Sequence, residues 1–366
     1  VPHMRNLEQL RIKNFKSIHD QTLRLGRLNV FIGGNGAGKS NLVGIFHFLN
    51  RVVAGDLQNY TGEAGGADSI LYFGRKQSSS LSIELEFGAG DNANGYAFDL
   101  RPTTEDRFIF SKETISFHNR RTYQDPTSIF LGSGHSEARV QTSTEPIAHH
   151  VRKDLDSYRI YHFHDTSNSS RVKQTGDIDD NRRLQADAGN LAAFLYRLQQ
   201  NAFSYFRNIE DTVRQIAPFF EGFRLEPSRL NADKIRLEWK EKGSEAYFNA
   251  SALSDGTLRF ICLATLFLQP NLPAVLLLDE PELGLHPAAI SLLADLLESA
   301  SKKTQVLVAT QSVTLVNQFD PESVWVVERT DRQSVFQHLE SADMSTWLEN
   351  YSLGELWEKN IIGGRP

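Results

Sequence analysis

The ten residues "FIGGNGAGKS", Phe31 to Ser40, place four glycines ahead of a lysine and a serine. Gly33 to Ser40 keep the spacing glycine, four residues, glycine, lysine, serine, in which backbone N–H groups free of side chains converge on phosphate oxygens. Lys39 then suits the β- and γ-phosphates of a nucleoside triphosphate, and the Ser40 hydroxyl suits Mg²⁺. Gly33, Asn35, Gly36, Ala37, Gly38 and Asn41 complete the expected cradle for ATP. The bland alternative is a glycine turn with an incidental lysine. A second stretch weighs against it: "AVLLLDEPELGLHP", 274 to 287, is an apolar run ending in Asp279-Glu280. The first carboxylate there suits a metal ion, and the second suits orienting a water for attack on a γ-phosphate. A group in that role is worth about 10²- to 10⁴-fold in rate, so loss of Glu280 is expected to arrest hydrolysis while sparing binding.

A third stretch, "ALSDGTLRF", puts Ser254, Gly256 and Thr257 at the start of a helical pattern, where side-chain oxygen and free amides make a second anion site. About 240 residues separate Lys39 from Asp279. That gap is too long for a small GTPase-like arrangement and long enough for a β-subdomain and a helical lobe between the two halves.

The elements that must hold these residues are legible in outline. "LEQLRIKNF" and "RLNVFIG" read as strands feeding the glycine loop, and "KSNLVGIFHFLNRVV" as the helix leaving it, with Leu42, Ile45, Phe46 and Leu49 on one face. "SLSIELEFG", "NGYAFDLRP" and "RFIFSKETISFH" alternate closely, as in an antiparallel sheet. A polar surface excursion is expected from Thr122 to Val151, a strand in "SYRIYHF" (157 to 163) and a mobile loop over 167 to 183. Two helices then carry Leu191, Phe194, Leu195, Leu198 and Phe203, Phe206, Ile209, Val213, Ile216 at three-to-four spacing, forming a helical lobe. From Ala252 onward helix and buried strand alternate, the pattern of a parallel sheet covered on both faces. The expected divisions are 4–180, 181–250, 251–345 and a closing tail at 346–366. "VPHM" reads as a cloning remnant before a start at Met4.

Composition bounds the partners. The chain has 366 residues, 40% of them hydrophobic and 23% charged, with a formal net charge of -6, so any contact with DNA must be local. Cys262 is the single cysteine, which excludes an internal disulfide and a cysteine-rich metal site and points to a reducing, cytoplasmic setting. No apolar run is long enough to span a bilayer, and no membrane partner is expected.

Together, "LRIKNFKSI", "LNVFIGGNGAGKSNL", "YHFHDTS", "LSDGTLRF", "LLLDEPELGLHP" and "YSLGELWEKNIIGGRP" resemble an ABC-type ATPase head of the RecF, structural-maintenance-of-chromosomes (SMC) and OLD grouping, nearest to stand-alone AAA_21-type ATPases. The resemblance implies an α/β P-loop NTPase head with an N-terminal antiparallel β-subdomain, a mainly parallel core sheet and a small inserted helical lobe. It also implies a homodimer closed around two Mg-ATP, with Ser254, Gly256 and Thr257 of one copy capping the γ-phosphate held by the other. Lys16, in "NFKS", is implied near the phosphates, with a solvated strand-end lysine as the alternative. Where related heads place a switch histidine, this chain has Gln311-Ser312; glutamine still donates a hydrogen bond but carries no charge. His164-Asp165 stands in for the loop that elsewhere offers a metal-contacting glutamine.

Other groupings carry less. His162 and His164 lack a third ligand at metal-site spacing. Asp177 and Asp179 form a DxD, but in a polar loop rather than after a buried strand. Arg152, Lys153, Arg171, Lys173, Arg182 and Arg183 suit DNA phosphates or a solvated face equally. The closing "YSLGELWEKNIIGGRP" suits a partner protein or the head itself. Two functions follow: an ATP hydrolase whose dimerisation drives a DNA-maintenance or phage-defence process, or a slow-hydrolysing switch that holds and releases an effector protein.

Overall fold

A computed structural model describes residues Asn6 to Arg365; the start expected at Met4 lies outside them. The chain divides into two compact units. The first comprises residues up to Ile160, Pro273–Leu277 and Thr304 onward; the second comprises Tyr161–Leu272 and Leu278–Lys303.

The first unit holds one six-stranded sheet and most of a second, of which Tyr161, Leu278 and Asp279 are counted in the second unit. One is antiparallel, in the order Ile18–Arg24, Asn6–Phe15, Leu81–Ala89, Asn92–Pro102, Phe108–Asn119, Thr127–Gly132, as the alternation in the first third implied. Its Asn6–Phe15 strand buries Leu7, Leu10, Ile12 and Phe15. Leu7 and Leu10 are three apart, and a bulge between Leu7 and Gln9 turns both to the core. The other sheet runs in the order Gln333–His338, Val324–Thr330, Leu28–Ile32, Gln305–Thr310, Val275–Asp279, Tyr158–Tyr161. The phosphate-loop strand Leu28–Ile32 pairs in parallel with Gln305–Thr310 and Val324–Thr330. The buried run "QVLVAT" thus lies between the glycine-loop strand and the strand that leads to the acidic pair. Helix Lys39–Val53 buries nine residues, and Phe48 meets Phe15 at a ring separation of 5.6 Å while Phe46 meets Tyr158 at 6.1 Å.

The second unit carries helices Leu191–Asn201, Phe203–Ile216, Asp255–Leu268 and Pro287–Ser301. It also has a three-stranded antiparallel sheet, Phe220–Arg224, Glu238–Glu241 and Tyr247–Asn249, that the sequence reading did not anticipate. Its strands are only three to five residues long, too short to show a clear alternation; Trp239 packs among them, ringed by Phe219, Phe220 and Phe248.

Two stretches differ from expectation. The region 122–151, expected as a surface excursion, contains an edge strand Thr127–Gly132 and most of helix Pro146–Leu155. The strand is largely exposed, so it shows no apolar alternation. The helix opens on a proline at its first turn and buries only Ala148, Val151 and Leu155, a stripe too thin to stand out among charged neighbours. "SYRIYHF" is a strand only over Tyr158–Tyr161; residues 162–166 form an irregular segment, so His162 and His164 do not share a strand face.

Candidate nucleotide site

The phosphate loop joins the Leu28–Ile32 strand to the Lys39–Val53 helix, and its glycines are required for different reasons. A Cβ at Gly33 would run into the Val327 carbonyl, one at Gly34 would stand 2.6 Å from the Arg365 carbonyl, and one at Gly38 would strike Ser334. At Gly36 nothing lies within 4 Å; there the demand is backbone, φ +77°. The loop is therefore packed from behind and open at Gly36, where no side chain stands between the backbone and a phosphate; the Ala37 amide donates to the Gly34 carbonyl at 3.2 Å. Lys39 is buried, its ammonium donating to the Gly33 carbonyl and to the Gly34 carbonyl at 3.1 Å. Ser40 is exposed at the helix start, where the helix dipole favours an anion. These residues suit a triphosphate with its metal.

A hydroxyl brace that sequence reading missed supports the loop. Ser17 Oγ and Ser334 Oγ lie 2.6 Å apart, Asn41 Nδ2 donates to Ser17 Oγ at 2.6 Å, and Ser334 Oγ donates to the Ala37 carbonyl at 2.6 Å. Asn41 is thus tied into the brace. Lys16 adopts φ +48° between the first two strands, and its ammonium lies by Gly44, in the second turn of the helix. Gln311 is half-buried directly after the Gln305–Thr310 strand. Ser312 then caps the short helix Val313–Val316, its Oγ accepting from the Leu315 amide at 3.1 Å.

In the second unit, Asp279 and Glu280 are half-buried. Glu280 sits at φ +42°, a left-handed conformation that costs a non-glycine residue on the order of 1 kcal/mol and recurs where function demands it. His164 Nε2 donates to the Asp279 carbonyl at 2.8 Å. Arg259 donates to three carbonyls: Phe163 at 3.1 Å, His164 at 2.8 Å and Leu283 at 2.8 Å. One side chain thus fixes both the segment before the acidic pair's partner histidine and the turn after Glu280. Beside Asp279, Glu280, His164 and Arg259 lies a cavity of about 10 Å³, room for about one water. The signal for Arg259 was present in the sequence: it is the single charged residue in the largely apolar "TLRFICLATLFL".

Ser254 is the exposed cap of helix Asp255–Leu268, its Oγ accepting from the Thr257 amide at 3.2 Å and lying 2.8 Å from Thr257 Oγ1. A Cβ at Gly256 would stand 2.5 Å from the Gly284 carbonyl, so glycine lets this helix start press against the turn that follows the acidic pair. Lys173 reaches Asp255 at 3.5 Å and donates to the Thr166 carbonyl. Arg152 is committed to the carbonyls of Val140, Gln141 and Ser143, and Arg171 to Asp187, so half of the basic group named above serves internal bonds. Asp177 pairs with Lys234. Asp165 is held below the usual carboxylate range by hydrogen bonds from the Ser167 hydroxyl and amide. Among the described residues no cluster of three or more His, Cys, Asp or Glu is arranged to hold a metal, and no helix is long and apolar enough to cross a membrane.

A glycine loop feeding a helix, a hydrophobic strand ending in Asp-Glu and a serine-capped helix define an ABC-type P-loop ATPase head. The comparisons agree. The model of the family described as "AAA domain, putative AbiEii toxin, Type IV TA system" (AAA_21) matches residues 28–317, and the chain belongs to that family. Among solved structures it is similar in fold to an SMC head bound to the C-winged helix domain of ScpA, at 19% identity and a TM-score of 0.60, covering 92% of this chain and 99% of that one. It is likewise similar to an SMC head with an extended coiled coil, bound to the C-terminal domain of ScpA, from Pyrococcus furiosus, at 17% identity and a TM-score of 0.58, covering 94% and 99%.

Proposed function

We propose that the protein hydrolyses ATP and closes as a homodimer around two Mg-ATP, using that cycle to drive a DNA-maintenance or defence process. The observation that carries the ATP reading is the phosphate loop itself: packed from behind at Gly33, Gly34 and Gly38, open at Gly36, with Lys39 and Ser40 at the head of a fifteen-residue helix. In this reading Gly33 to Ser40 grip the phosphates and Lys39 exchanges its loop carbonyls for phosphate oxygens. Ser40 would serve as a hydroxyl ligand and Asp279 as a carboxylate ligand for Mg²⁺, which when bound would neutralise charge that develops on the departing ADP. Glu280 orients the attacking water, Gln311 hydrogen-bonds the γ-phosphate without charge, and Lys16 adds a nearby cation. Exposure of Ser254 and Asp255 supports capping in trans by Ser254, Gly256 and Thr257 of a second copy. The family's description, which names a toxin, and the ScpA-bound head among the similar structures support a second reading, in which slow turnover holds and releases an effector protein.

The test is the Glu280→Gln protein, sized with and without Mg-ATP beside a phosphate-release assay of the wild type. The proposal expects wild-type phosphate release, lost in the variant, and a monomer-to-dimer shift of the variant on adding Mg-ATP. ATP binding with no wild-type release and no shift rejects the hydrolase reading; a co-purifying protein released on turnover favours the effector reading.

A further inference from the structure

Within the first unit, residues Ser352 to Arg365 link two parts of the nucleotide site that sequence spacing does not connect. The segment begins with helix Leu353–Glu358, closed by a reciprocal cap between Ser352 and Glu355. The helix lies against Val313–Val316, the short helix that follows Gln311. The Gly354 amide donates to Asn317 Oδ1 at 2.6 Å, and a Cβ at Gly354 would stand 2.6 Å from Val313 Cγ1. Leu356 and Trp357 are completely buried. The chain then turns through Asn360 at φ +56° and two left-handed glycines, Gly363 at +79° and Gly364 at +63°, a path that residues with a Cβ rarely take. It arrives at the phosphate loop. Trp357 Nε1 donates to the Gly364 carbonyl at 2.5 Å, and the Gly364 amide donates to Glu328 Oε1. A Cβ on Gly364 would lie 3.6 Å from Gly33 Cα, and the Arg365 carbonyl fills the place a Gly34 side chain would take.

We propose that this segment is a strap that sets the geometry of the phosphate loop, with Trp357 and Gly364 as positioning residues for nucleotide binding. The proposal rests on the ATP reading above and adds a part to it. Gly33 and Gly34 supply the two carbonyls that hold Lys39, and the strap lies against the same two residues. It fixes where those carbonyls stand and therefore how readily the lysine is released to phosphate. Because its other end rests on the helix after Gln311, a shift at that glutamine and a shift in the loop are mechanically linked. Trp357 serves as the anchor: a buried indole whose single donor is spent on the strap's own turn.

The test titrates the full chain with a fluorescent ATP analogue and Mg²⁺, exciting the analogue directly, for wild type, Trp357→Phe, Gly34→Ala and the double variant. Trp357→Phe keeps an apolar ring and loses the donor. Loss of one buried hydrogen bond corresponds to analogue binding about threefold to tenfold weaker. Gly34→Ala displaces the strap from the opposite side, so the double variant is expected to bind no more weakly than the worse single one. A fall in urea midpoint for Trp357→Phe with unchanged analogue affinity overturns the proposal, since that is what a merely structural tryptophan would do. Strictly additive losses overturn it too. If Trp357→Phe does not fold, Gly34→Ala decides alone: hydrogen exchange over residues 361–365 must quicken, and unchanged exchange overturns the strap. A wild type that fails to bind the analogue removes the ATP reading and the strap together, whereas wild-type binding with unaffected variants removes the strap only.

Discussion

Replacing Arg259 by alanine should loosen the surroundings of Asp279 and Glu280 without touching either carboxylate. The guanidinium makes three hydrogen bonds, to the carbonyls of Phe163, His164 and Leu283, at 2.8 to 3.1 Å. Hydrogen bonds from a charged donor are worth about 1.5–3 kcal/mol each, but this side chain is only half-buried and water can replace part of the loss. About 1 kcal/mol per bond, about 3 kcal/mol in all, is the reasonable sum. Every 1.4 kcal/mol is tenfold in an equilibrium, so local opening of the two segments should become about a hundredfold more frequent. Hydrogen exchange read by mass spectrometry over 162–165 and 281–286 measures this directly, and exchange within helix Leu191–Asn201 of the same unit serves as the internal control. Arg259→Lys keeps the charge but not the fork that spans three acceptors, so it should fall between wild type and alanine. Exchange in both segments within threefold of wild type for Arg259→Ala would refute the idea that this side chain clamps them.

Three further expectations follow. Glu280→Gly removes the cost of a left-handed glutamate, so in urea unfolding it should be as stable as wild type or more stable by up to about 1 kcal/mol, while Glu280→Ala gains nothing; a glycine variant less stable than the alanine one contradicts this. Glu113 is fully buried and accepts from Tyr96 Oη, the amides of Arg139 and Val140, and His135 Nε2; Glu113→Gln puts an NH₂ against donors and should cost about 2–4 kcal/mol by the same measurement, an outcome under 1 kcal/mol counting against the network. Burial pushes the Cys262 thiol up to about 12, above its ordinary value near 8.5. The folded state thus prefers the neutral thiol, a preference fully present below the unfolded value and lost as pH rises toward the folded one. At pH 8 the thiol therefore stays protonated as well as buried, so a disulfide reagent should label Cys262 only on unfolding, and rapid native labelling would show the site to be open.

What sequence alone determined about this protein is chemistry carried on short, contiguous stretches. "GGNGAGKS", "LLLDEP" and "LSDGTL" name their residue types at spacings that local backbone geometry enforces. The Lys39 and Ser40 positions, the acidic strand end and the serine cap are accordingly where the sequence put them. The antiparallel sheet of the first third was legible for the same reason: one buried face imposes a period of two. What only the tertiary structure decided depends on residues far apart in the chain. The brace of Ser17, Asn41 and Ser334 joins positions separated by 317 residues. The sheet around Trp239 is held by aromatic packing rather than by strand periodicity. The contact of Arg365 with Gly34 follows from a turn through two left-handed glycines. Sequence periodicity records which face of an element is buried; which distant element covers that face is settled by packing, because close-packed interiors admit few arrangements of the same side chains.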